Sequence, residues 1–285
     1  MISPDAAIDR PATGPTPAAL ERVRGVARVR LAGDGGTTRL VENFQSGSAK
    51  VRFPKPADRS VMDVVLLNTA GGLTGGDRIS FSVAAGAGAR ATVTTQASER
   101  IYRRRDGDVE VETALAIEAG ATLDWLPQET ILFDRSSLRR RLAADLHPTG
   151  KLLAVEAIVL GRAAMGERVR SATLADSWRV RRGGALIFAD GVRLDGDSVA
   201  ILDGGATGGG AAAMATVLLV APDAESALPA AREALAGAAG EVGASAWNGM
   251  LVARLLAVDS HALRADLTRL IETLRGTTMP RTWLC

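Results

Sequence analysis

Val109-Glu-Val-Glu-Thr-Ala-Leu-Ala-Ile117 sets Val109, Val111, Thr113, Leu115 and Ile117 on one side of an extended chain, with Glu110, Glu112 and Ala114 on the other. Side chains alternate across a strand, so this spacing puts one face on a core and the other toward solvent. The same pattern spreads in both directions. Ala89, Ala91, Val93 and Thr95 alternate with Arg90, Thr92, Thr94 and Gln96, and Ile79-Ser-Phe-Ser-Val83 repeats the rule. Nearer the start, Val23, Gly25, Ala27, Val29 and Leu31 alternate with Arg22, Arg24, Arg28 and Arg30, Val26 being the exception. From Arg22 to Leu194 the period is two, which predicts a mainly β protein.

Gly88-Ala89 followed by Gln96 recurs as Gly120-Ala121 followed by Gln128, 32 positions on. Recurrence at a fixed period hints at stacked, similar strand units, although a pattern this short also arises by chance. The C-terminal third differs. Met214–Ala221 and Gly249–Val258 read as strands, and the Ala-rich stretch from Glu225 to Ala239 reads as a helix with Pro229 in its first turn. Ser260 is a candidate N-cap, and Leu263, Leu267, Leu270, Ile271 and Leu274 form one apolar stripe that ends at Gly276. The expected organisation is a flexible Pro-rich tail over 1–20, then a single domain over 21–285 whose β portion is followed by a βαβα-like end. The few helices fall mostly in the C-terminal third.

Composition narrows the function. With 47% hydrophobic but only 4% aromatic residues, the core must be built from Ala, Val, Leu and Ile, and 31 glycines favour many turns. The net charge of +2 is too small to argue for nucleic acid. The runs Arg103–Arg105, Arg139–Arg141 and Arg181–Arg182 read as solvated strand faces or rims. A single cysteine, Cys285, fits a reducing compartment. Met1 to Pro17 lacks the apolar region of a secretory signal, and no apolar run approaches a membrane span. A soluble, cytoplasmic protein is expected.

Chemistry is sparse. Asn68-Thr-Ala-Gly-Gly-Leu-Thr-Gly-Gly-Asp-Arg78 lacks the Gly-Lys-Ser/Thr of a phosphate-binding loop and precedes a strand, not a helix. Its glycines serve either a tight connection or an anion-binding concavity. His147 and His261 lie beside no nucleophile motif, so no catalytic residue is named. Imidazole and thiolate are too scattered for a tight transition-metal site. Oxygen donors remain, including Asp77, Glu99, Asp124, Glu129, Asp134 and Glu156. The nearness of Glu129 and Asp134 keeps a carboxylate-dependent hydrolase open, and a basic-surface binding module is the other alternative.

Read together, five ordered blocks resemble one family. They are Asn68–Asp77, Thr94–Arg103, Leu126–Asp134, Glu156–Arg162 with Gly166-Glu167 and Trp178-Arg-Val-Arg181, and Pro280-Arg-Thr-Trp283. Their order and spacing resemble the urease accessory proteins of the UreD (UreH) family over about residues 24 to 285. Where that family carries Asn-Pro-Pro-Gly-Gly, this chain has Asn68-Thr-Ala-Gly-Gly72. The resemblance implies a solenoid-like stack of strands with a few helices. It also implies a non-enzymatic maturation scaffold that binds urease apoprotein and, with UreF and UreG, enables nickel insertion. No cofactor is expected to be tightly bound; nickel would pass transiently. Asp77, Glu99, Glu129 and Glu156 lie within the resembling blocks and are the candidate weak metal sites. The tail residues Met279, Arg281, Trp283 and Leu284 either pack on the domain or dock a partner.

Overall fold

A computed structural model describes residues 21–55, 60–162 and 166–284, which leaves the Pro-rich start and Cys285 outside the described residues. The alternating stretch quoted first is β8 (Val109–Ile117), the middle strand of a seven-stranded sheet. Parallel to it lie β1 (Arg24–Asp34), β5 (Arg78–Ala85), β11 (Ser137–Leu146) and β13 (Ser171–Arg182). Antiparallel β2 (Thr37–Gly47) and β14 (Ala185–Asp197) close its two edges.

A second sheet faces the first. Its parallel centre is β4 (Met62–Asn68), β6 (Arg90–Thr95), β9 (Thr122–Leu126) and β12 (Lys151–Leu160). Short β7 (Glu99–Ile101) and β10 (Thr130–Leu132) pair beside β12. Antiparallel β3 (Ala49–Arg52) lies at one edge, and β15 (Ala213–Val220), β17 (Met250–Ala257) and β16 (Glu241–Trp247) extend the other. The chain crosses from sheet to sheet, so each circuit forms one tier of a solenoid. Arg78 pairs with Glu110 and Arg90 with Thr122, both 32 positions on, which makes the sequence repeat a real tier spacing. The next tier shortens to 29, Val109 pairing with Leu138 and Thr122 with Lys151, and that is why the period fades after two copies.

Two apolar cores follow from the layers. One fills the space between the sheets, with Val29, Val83, Leu115, Leu123, Leu142 and Leu152 among its members. The other lies on the far face of the second sheet, beneath α2 (Leu228–Leu235) and α3 (Ser260–Arg275). β12 contributes to both, which explains its almost unbroken apolar run. Helices begin only at α1 (Ser198–Leu202), as expected for the C-terminal third.

Three local readings are corrected. The N-cap of α3 is Asp259, whose carboxylate accepts from the Ala262 amide, while Ser260 is already helical. The Glu225–Ala239 helix shrinks to Leu228–Leu235, because Ala224–Ala227 forms a 3-10 turn and Glu225 instead accepts from the Gly249 amide. The end is also not βαβα. β16 intervenes and pairs antiparallel with β17 through a turn in which Asn248 and Gly249 both adopt positive φ. Gly243, Ala244 and Ser245 give β16 little strand propensity, so it hid from the pattern. Its outer edge is partly covered: the Arg232 guanidinium donates to the Ala244 carbonyl. Among the described residues no helix is long and apolar enough to cross a membrane.

Candidate functional site

The two long edges of the solenoid differ. On one, Gly86–Ala89, Glu118–Ala121 and His147–Gly150 carry the chain from the first sheet to the second. Each is a four-residue turn closed by the same bond: Ala89 N to Gly86 O, Ala121 N to Glu118 O and Gly150 N to His147 O. On the other edge the chain returns through residues 69–77, 102–108, 133–136 and 161–170. These loops hold the glycine-rich stretch and all three arginines of the first run. Gly71, Gly72 and Gly76 have positive φ, and a Cβ on Gly72 would lie 2.3 Å from the Tyr102 ring. The glycines therefore serve a close-packed connection between strands, in which Asp77 receives the amides of Val23 and Thr74.

Behind this edge, between the sheets, lies a cavity of about 250 Å³. Asn68, Glu99, Trp125, Gln128, Arg140 and Glu156 supply its polar lining. Arg140 shows how period two decides a side chain's fate. Arg139 and Arg141 point to solvent, but Arg140 shares the inward face with Leu138 and Leu142 and is 4% exposed, which corrects its assignment to a solvated rim. Its guanidinium grips Asp176 through Nε and Nη2 (3.2 and 2.7 Å), while Nη1 reaches Glu156 and Thr130. Trp125 Nε1 donates to the other Glu156 oxygen at 3.0 Å. Arg140 and Asp176 come from the first sheet, Glu156 and Trp125 from the second, so the cluster ties the sheets together. Burial pushes the Glu156 carboxyl up, against the pull of Arg140.

Glu99 is different. It forms no ion pair among the described residues; its oxygens accept from Asn68 Nδ2 at 3.1 Å and from the Arg100 amide. Burial lifts its pKa to about 7, with the Asn68 hydrogen bond opposing. It therefore titrates near neutrality.

Of the four carboxylates expected to line one route, the structure brings Glu99 and Glu156 to this cavity. Asp77 belongs to the adjoining loop. Glu129 is bound by Arg264 at 2.8 Å and by Ser98, and it faces a neighbouring groove that Ser98 also lines. Among the described residues no three of His, Cys, Asp and Glu converge on a common point. The carboxylates of the hydrolase reading are both engaged, Glu129 as above and Asp134 by the amides of Arg170 and Ser171. Asp124, half-buried and paired with Arg275, stands behind the last helix. Arg140 and Asp176 were missed by the sequence reading; the period-two register of β11 and β13 would have placed both inside.

The tail Thr277–Leu284 folds back on its own chain. Met279 and Trp283 are each 4% exposed, Trp283 Nε1 donates to the Leu126 carbonyl, and Gln128 Nε2 donates to the Thr282 carbonyl. Arg264 lies 4.9 Å over the Trp283 ring. Leu284 is 73% exposed, and Arg281 is also exposed, so of the four tail residues two face the interior and two the outside.

Comparison with known proteins gives a consistent result. The family model for the UreD urease accessory protein matches residues 23–284. A urease accessory protein UreD of Rhizobium rhizogenes is 50% identical over 264 residues, covering 92% of this chain and 96% of the relative. Those of Rhizobium leguminosarum bv. trifolii and Xanthobacter autotrophicus are 51% and 46% identical, over 87% and 92% of this chain and 90% of each relative.

Proposed function

The chain belongs to the UreD family of urease accessory proteins, and on that premise we propose that it acts in urease maturation. In this reading it is a cytoplasmic scaffold with no turnover of its own. It binds the urease apoprotein and, with UreF and UreG, enables nickel to reach the urease active site. The observation that carries the reading is the family match across residues 23–284, which takes in both sheets, the loops and the tail.

The cavity supports the nickel part. A protein that hands a metal on gains from weak, hard oxygen donors and from the absence of thiolate and imidazole. Glu99 and Glu156 are the carboxylates that face the cavity; Asp77 and Glu129 hold the loop and wall beside it. Glu99 is the better donor of the two, because Glu156 already serves Arg140 and Trp125. Nickel is cargo in this scheme, not a resident cofactor.

The test is co-expression of the tagged chain with the urease subunits and UreF, followed by identification of what co-purifies. Recovery of both partners, with urease inactive until UreG, GTP and nickel are added, is the expected result. A folded chain that recovers neither overturns the scaffold. Within a recovered complex, Glu99→Gln should lower the nickel content of urease without loosening the partners; unchanged nickel removes Glu99 from the route.

A further inference from the structure

The loop edge carries a column of arginines that the cavity does not use. Arg103, Arg105, Arg135, Arg168 and Arg170 are exposed, and their loops are bonded tier to tier: the Arg104 amide donates to the Arg135 carbonyl, and the Arg135 amide to the Ser171 carbonyl. Neighbouring tiers bring the backbones of these arginines to within about one strand spacing, roughly 5 Å, which stacks like charges along one edge. Arg103, Arg105, Arg168 and Arg170 have no carboxylate within ion-pair distance among the described residues, and Arg135 has only its neighbour Asp134 at 3.6 Å. The nearby acids are largely committed elsewhere, Asp134 to two backbone amides and Asp108 to Ser137, Arg104 and Arg139.

Arg135 adds a second observation. Its φ is +60°, and apart from Asn248 it is the one non-glycine among the described residues with positive φ. Glycine or asparagine is at ease there, whereas arginine strains the backbone. Beside the column, Tyr102 packs edge-on against Phe133 at 4.9 Å, and the Arg162 guanidinium covers that ring at 4.5 Å, which makes an aromatic shelf at the solvent boundary.

We propose that this edge is a docking surface for an acidic segment of a protein partner, whose carboxylates are taken by Arg103, Arg135 and Arg170 and whose apolar residue rests on Tyr102. Planar guanidinium groups suit carboxylates through paired hydrogen bonds. A nucleic acid fits less well. Asp106, Asp134 and Glu167 interrupt the column and would face its evenly spaced phosphates, whereas a peptide can set uncharged residues opposite them. The surface is independent of the cavity and of the route proposed for nickel.

The experiment uses the full chain and a fluorescein-labelled peptide of alternating glutamate pairs and leucines, titrated by fluorescence anisotropy at low and moderate salt. The triple variant R103Q/R135G/R170Q should raise Kd about tenfold or more, while the control R28Q/R30Q/R193Q, which removes equal charge from the outer sheet face and its edge, should change it less than about twofold. Equal losses in both variants would make the binding a net-charge effect and overturn the proposal. So would tighter binding of an oligouridylate of equal charge, which would make the edge a nucleic-acid surface. R135G alone separates binding from folding. Its thermal midpoint should rise while peptide affinity falls; a lower midpoint would show that arginine is not held there at a conformational cost.

Discussion

The two long edges of the solenoid perform the same topological task with opposite chemistry. The turn edge crosses between sheets three times in four residues, carries Glu118 as its sole carboxylate, and stacks one turn on the next by backbone bonds. The loop edge is longer, glycine-rich where it packs and arginine-rich where it faces water. Short turns fix the pitch of the tiers and leave no room for side-chain invention, whereas the longer returns can be shaped without disturbing the register. Cavity, exposed arginines and the neutral-range carboxyl all gather at the second edge. Function is thus expected where the crossing is loosest in sequence and tightest in packing.

Glycine substitution tests this contrast most sharply. A Cβ on Gly75 would lie 2.0 Å from the Asp106 carbonyl oxygen, so Gly75→Ala should cost about 3 kcal/mol or more in urea unfolding. At the turn edge a Cβ on Gly120 meets nothing within 4 Å, and only its φ of +64° resists, so Gly120→Ala should cost about 1 kcal/mol. Equal losses would erase the distinction between close approach and conformational freedom.

The next effect is set by pH. The Glu99 pKa is raised from 4.5 to about 7, so its protonated form stabilises the fold below about 4.5, and that stabilisation is lost as pH rises through 7. Measured between pH 5 and pH 8, the wild-type chain should lose up to about 3 kcal/mol that Glu99→Gln retains. Parallel pH profiles would show that Glu99 is solvated like an ordinary surface acid.

The smallest contrast pairs two carboxylates that accept backbone amides. Asp134→Ala on the loop edge strands the amides of Arg170 and Ser171 and should cost about 2 kcal/mol. Glu118→Ala on the turn edge releases one exposed amide, that of Ala87, and should cost about 0.5 kcal/mol. A reversed order would place the more demanding hydrogen bonding at the turns.

Much of this fold was legible in the sequence, because alternation and tier spacing are local properties. β1, β5, β6 and β8 follow from the period-two stretches, and Leu263 through Leu274 announce α3. β16 was not legible, since its small residues pack against a neighbour that sequence does not reveal. The site was half legible. Glu99 and Glu156 stood out as acids inside family blocks, and both reach the cavity. Arg140 was misjudged because a run of three arginines looks like a solvated rim, while strand geometry sends the middle one inward between Leu138 and Leu142. Arg135 gave no signal, since a positive φ belongs to a turn and not to a residue type.

The return of the tail onto β9 also bears on synthesis. Trp283 seals against Leu126 and Thr282 against Gln128, contacts that span 157 and 154 positions. While the chain emerges from the ribosome, the tiers can stack in order, but the outer face of the second sheet stays uncovered until α2 and α3 follow, and Leu126 lacks its Trp283 partner until the tail does. A product stopped before α2 would display Leu126, Leu153 and Val155 to the cell, so the helices and tail that come late in the chain are what shield this face from aggregation.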